Sequence, residues 1–139
     1  MFVTVLALDM NDGFKEVARI DTSVILDPYS TEKIDVSRLV TGDNILLVTD
    51  VLCGEYVYRS HYKKGKLEIV RDDSFEVLEL TDDSITLRAD NYLQAVELEG
   101  DYSFSDNYFT MLKGETKTVT FSRFSDKAKG VTVKSYTLK

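Results

Sequence analysis

The sequence predicts an all-β fold in which short antiparallel strands stack as a sandwich or close as a barrel. Three observations carry this. Apolar, β-branched segments recur at intervals of about 8–12 residues with turn residues between them. Several alternate strictly: Ile85, Leu87 and Ala89 oppose Thr86 and Arg88, and Val119 and Phe121 oppose Thr118 and Thr120. Such alternation marks a sheet with one packed and one wet face. No segment sustains a 3.6-residue apolar stripe, so long helices are not expected.

Taken in order, residues 2–8 form the first expected strand, ended by the turn cluster Asp9-Met10-Asn11-Asp12-Gly13. Asn, Asp and Gly tolerate the left-handed conformations of tight turns. Val17, Ala18, Ile20, Val24, Ile25 and Leu26 lie in the next extended segment, which Asp27-Pro28 breaks because proline cannot donate to a ladder. Ile34 and Val36 suggest a short strand, and Thr41-Gly42-Asp43-Asn44 a turn. Residues 45–52 are almost unbroken apolar, as in a strand buried on both faces. Gly54-Glu55 turns the chain into Tyr56–Tyr62. Lys63-Lys64-Gly65-Lys66 reads as a linker. Further strands are expected at 67–70, 75–80, 84–89, 93–98, 102–104, 117–124 and 131–138, with no long helix and at most a short turn near Tyr108 to Leu112.

Composition narrows the function. Of 139 residues, 43% are hydrophobic, a globular share. No apolar run nears the ~20 residues that a membrane helix needs, and no membrane partner is expected. Phe2 reads as the interior of a strand with no basic leader before it, so no secretion signal is expected and the natural chain is expected to continue upstream. A net charge of −7 argues against nucleic-acid partners, because acidic surfaces repel phosphates. The single cysteine, Cys53, excludes an internal disulfide and reads as a small core residue beside Val51 and Leu52.

The most distinctive segment is Phe104-Ser105-Asp106-Asn107-Tyr108-Phe109-Thr110-Met111-Leu112-Lys113-Gly114-Glu115-Thr116-Lys117-Thr118-Val119. It resembles the signature of the C-terminal immunoglobulin-like domain of β-mannosidases in glycoside hydrolase family 2. Ser-Asp-Asn-Tyr-Phe, Leu112, Gly114-Glu115 and Lys117-Thr118-Val119 are kept. Lys113 and Thr110 depart, where the family usually carries proline and often aspartate. The resemblance implies an all-β, immunoglobulin-like antiparallel sandwich. It implies two domains: residues 1–64 as a truncated penultimate sandwich and residues 65–139 as the complete C-terminal one. It implies a non-catalytic accessory role, with the catalytic barrel of the same full-length chain as partner and a retaining β-mannosidase as parent. Within the motif, Asp106 and Asn107 read as turn caps, Tyr108 and Phe109 as buried anchors, and Gly114 as a positive-φ turn.

No catalytic, cofactor-binding or metal-ligating residue is expected, and no cofactor. Retaining glycosidases place two carboxylates about 5–5.5 Å apart, in this family on a barrel of about 250 residues for which the chain is too short. Glu55, Glu76, Glu79, Glu97, Glu99 and Glu115 read as surface charges on polar strand positions. Asp72-Asp73 and Asp82-Asp83 lack the oxygen spacing of a calcium loop and read as turns. Asp106-Asn107 is a better cation candidate, yet also reads first as a turn. His61, the only histidine, cannot build a zinc site alone. Tyr56, Tyr58 and Tyr62 share one strand face by even spacing. They supply the alternative reading, a carbohydrate-binding module, although tryptophan, the usual sugar platform, is absent. A cell-surface adhesion domain is a third reading. An exposed apolar surface, left by a missing barrel, would favour a dimer.

Overall fold

A computed structural model describes residues 1–139. It contains twelve β-strands and no α-helix, and divides into two compact units, Met1–Lys66 and Leu67–Lys139.

The first unit is one antiparallel sheet in the order β2-β1-β3-β4, with β1 at Phe2–Asp9, β2 at Lys15–Ser23, β3 at Ile45–Cys53 and β4 at Tyr56–Tyr62. The β1–β2 turn is built as its residues dictate. The Asp9 carboxylate accepts the Asn11 N–H, and Gly13 sits at φ 60°. On one face Val3, Val5, Ala7, Ile45 and Leu47 are buried together with Leu39. Leu39 arrives from the long β2–β3 connection on a single 3-10 turn, Ser37–Leu39, whose first N–H bonds the Asp35 carboxylate at 2.9 Å. That Asx turn replaces the strand expected around Ile34 and Val36: both residues instead pack on the cluster from an irregular segment.

Burial on both faces of β3 holds from Ile45 to Val48 and then fails, so that Leu52 is 40% exposed. Cys53 is likewise exposed, which corrects its reading as a core residue. Its apolar neighbours extend β3 past the core into the hairpin, where Cys53 pairs with Tyr56 across Gly54-Glu55.

The second unit is a sandwich of two antiparallel sheets. One has the order β10-β8-β12-β5 and the other β6-β7-β11-β9. Here β5 is Ile69–Arg71, β6 Phe75–Leu80, β7 Ser84–Ala89, β8 Leu93–Glu99, β9 Tyr102–Phe104, β10 Phe109–Met111, β11 Thr116–Arg123 and β12 Thr132–Leu138. The alternation read in the sequence sets the packing. Ile85, Leu87 and Ala89 of β7 and Val119 and Phe121 of β11 form one layer. Leu93, Val96 and Leu98 of β8 and Phe109 and Met111 of β10 form the other. Tyr102, Phe104 and Phe121 close one part of this core with edge-on ring contacts, Tyr102 to Phe121 at 4.9 Å. This is an immunoglobulin-like β-sandwich. The segment expected as a turn at Tyr108 to Leu112 is strand β10 instead, because Phe109 and Met111 take successive inward positions against β8.

Candidate functional site

The motif at 104–119 carries the chain from one sheet to the other, since β9 pairs with β11 and β10 with β8. Each polar residue of the crossing has a backbone partner. Ser105 N–H donates to the Thr120 carbonyl at 2.8 Å, and its hydroxyl accepts the Thr120 N–H at 3.1 Å. Asn107 acts as a substitute strand residue. Its amide oxygen accepts the Leu98 N–H at 2.7 Å and its amide nitrogen donates to the Leu98 carbonyl at 2.9 Å. Asp106 accepts the Asn107 N–H at 2.8 Å and pairs with Lys117 at 2.7 Å. The Lys117 ammonium lies 4.6 Å from the centre of the Phe109 ring. Further on, Gly114 sits at φ 87°, and the Glu115 carboxylate accepts the Leu112 N–H. Asp106 and Asn107 thus cap a turn and Gly114 makes the next one, as their residue types require.

Tyr108 differs. Expected as a buried anchor, it is 66% exposed, at φ 56°. The left-handed residue that redirects the chain between sheets turns its own side chain outward, and the anchoring falls to Phe109 alone.

The Ig_mannosidase family model, an Ig-fold domain, matches residues 67–138. The chain belongs to this family. No curated protein matches the chain. An Ig-fold domain of this mannosidase-type family is an accessory structure and not itself catalytic.

Several other acids of the Ig_mannosidase domain brace its own strands and turns. Asp72 and Asp73 lie at the other crossing between sheets, from β5 to β6. Asp72 accepts from the Ser74 N–H at 2.9 Å, from the Ser74 hydroxyl, and from the Asn91 amide at 2.9 Å. Asp73 accepts the N–H of fully buried Ser135 at 3.0 Å and the Arg71 guanidinium at 2.8 Å. Burial pushes the Asp72 carboxyl up, but the hydrogen bonds from Ser74 and Asn91 outweigh it and hold Asp72 below the usual aspartate range. The Arg71 guanidinium does the same for Asp73. At the β6–β7 turn, Asp83 accepts from the Thr81 hydroxyl at 3.0 Å. Asp72, Asp73 and Asp83 build turns, and the sequence missed how deeply the first doublet is tied to Ser135.

Glu97 and Glu99 lie two residues apart on β8. Lys134 stands opposite Glu97 in the ladder and bonds Glu99 at 3.1 Å, which raises the Lys134 pKa. Glu76 pairs with Arg88. No group of three His, Cys, Asp or Glu side chains lies close enough to hold a metal ion. An open groove of about 570 Å³ is lined by Tyr102, Phe121, Arg123 and Lys129, with Asp82 its only carboxylate.

What remains as a recognition surface is β4, an edge strand that pairs with β3 alone. The ladder sets Tyr58, Ser60 and Tyr62 opposite Val51, Thr49 and Leu47, on the face of Val3, Val5 and Ala7. Tyr56, Tyr58 and Tyr62 are 70%, 63% and 63% exposed. On the other face Arg59 grips Asp50 with two bonds, at 2.6 and 2.7 Å, and His61 stands opposite Val48. The even spacing of the tyrosines foretold their shared face. Nothing in the sequence distinguished an exposed row from a core row.

Proposed function

We propose that this chain is a non-catalytic accessory region of a β-mannosidase-like retaining glycoside hydrolase. In this reading it packs on the catalytic barrel of the full-length chain and stabilises it, and the first unit belongs to the penultimate sandwich domain. The parent enzyme removes terminal β-mannosyl residues by double displacement on barrel glutamates. What supports the reading is the family match over 67–138, coinciding with a sandwich whose signature residues Asp106, Asn107 and Lys117 are engaged in holding its own strands. A side chain occupied in this way is unavailable for acid–base work, whereas an accessory domain needs only shape and surface. The test is a thermal melt of a family barrel prepared without its terminal Ig-like domain, titrated with this chain. A saturable rise in the barrel's Tm is expected, following mass action. An unchanged Tm at high excess would refute the stabilising role.

A second reading rests on a separate observation. The three exposed tyrosines of β4 lie in a line with the Ser60 hydroxyl between them. Aromatic faces with neighbouring hydroxyls suit the apolar faces and hydroxyl rims of a sugar chain. Saturable binding of soluble mannan, lost in Tyr58→Ala, would establish a carbohydrate-binding role. Absence of binding would leave the row as a protein contact.

A further inference from the structure

The two edges of the first sheet are guarded differently. Strand β2 carries Lys15, Glu16, Arg19 and Asp21 along its length, the charged protection that keeps an edge from pairing. Strand β4, Tyr-Val-Tyr-Arg-Ser-His-Tyr, carries one full charge, Arg59, and Asp50 neutralises it. Among the edge strands of the second unit, β5, β9 and β10 have three residues each and β6 bears Glu76 and Glu79. Strand β4 is therefore the long edge left without a guard.

We propose that β4 pairs antiparallel with β4 of a second copy of this chain, about a two-fold axis at Arg59. The strand is self-complementary in that register. Antiparallel pairing about position 59 sets Tyr56 against Tyr62 of the second copy, Val57 against His61, and Tyr58 against Ser60. One step further out it sets Glu55 against Lys63. Neither Glu55 nor Lys63 has an ion-pair partner within its own chain; Lys63 only donates to the neighbouring Lys64 carbonyl at 3.2 Å. The dimer supplies both partners twice, as a two-fold interface must. Two chains of net charge −7 repel each other overall, so the local Glu55–Lys63 pairs and the Tyr56–Tyr62 contacts at both ends of the seam fix the register. The Arg59 side chains meet at the axis already paired, each with its own Asp50. This inference concerns the first unit and holds whether or not the second packs on a barrel.

The test uses charge reversal and sedimentation of the whole chain. The unaltered protein is expected to show a concentration-dependent monomer–dimer equilibrium. Glu55→Lys alone sets lysine against lysine, and Lys63→Glu alone sets glutamate against glutamate. Each is expected to weaken self-association by about tenfold or more. An equimolar mixture of the two variants restores both ion pairs in a heterodimer, which is expected to form as tightly as the original. Glu55 is exposed and Lys63 half-buried, and far-UV circular dichroism checks that the variants fold. A strictly monomeric unaltered chain, or single variants that dimerise unchanged, overturns the proposal, as does a mixture that fails to recover. Amide exchange of the unaltered chain gives a variant-free check. Protection across Tyr56–Tyr62 should rise with concentration; protection independent of concentration in a dimerising sample also overturns it.

Discussion

Asn107 shows how much one side chain can carry. By donating to and accepting from Leu98, it completes a ladder at the point where the chain leaves one sheet for the other. Replacing it with alanine strands two backbone groups of β8. Asn107→Ala should cost about 2 kcal/mol, measured as a lowered urea midpoint with an unchanged m-value. Gly100 is constrained in a different way. Its φ of 148° suits glycine, and an added Cβ would sit 2.8 Å from the Tyr102 ring. Gly100→Ala is expected to lose about 1–3 kcal/mol in the same assay. The Asp72–Asp73 pair gives a pH dependence. Both carboxyls titrate below the usual range in the folded chain, so at acid pH the unfolded chain takes up protons more readily. Their stabilisation is complete above about pH 4 and is lost as pH falls through the folded-state values. In Asp72→Asn with Asp73→Asn, the loss of stability between about pH 4 and about pH 2 should be shallower than in the unaltered chain. Such roles were only half legible in the sequence. Asp, Asn and Gly announced turns, but that Asn107 reaches Leu98, or Asp73 reaches Ser135, depends on contacts distant along the chain.

At the scale of elements, strict alternation was the reliable signal. Residues 84–89 and 117–121 were assigned to strands with the correct face inward, because a period of two leaves one choice once a core exists. Leu87 is fully buried at the centre of β7, and Leu87→Ala should open a cavity worth about 2–5 kcal/mol, seen as a lower melting temperature of the second unit. The signal failed where strands leave the core or are replaced by turns. Cys53 and Leu52 continue the apolar run of β3 after its packing partners have ended. Ile34 and Val36 look strand-like, but Asp35 between them accepts the Ser37 N–H and turns the chain into the 3-10 turn that seats Leu39. Tyr108 was misread because an aromatic beside Phe109 suggests a paired anchor, whereas the crossing needs a left-handed residue there. The β4 tyrosines were legible as a shared face and illegible as an exposed one, since alternation says which side chains group together and not what covers them.

At the scale of the whole molecule, the chain divides at Lys66, beside a basic segment interrupted by Gly65. The second unit has two facing sheets and its own continuous core. Residues 67–139 expressed alone should therefore give a dispersed amide spectrum and a cooperative melt. The first unit has one sheet with the β2–β3 connection packed on it. The proposed role is that such a molecule packs on and stabilises the catalytic barrel of a longer chain and performs no catalysis itself. The most direct measurement is turnover of an aryl β-mannoside by the purified chain. Under the proposed role, release of aryl alcohol indistinguishable from buffer is expected at every pH tried. Saturable turnover that disappears on changing a single glutamate of this chain, such as Glu97→Gln or Glu99→Gln, would contradict it.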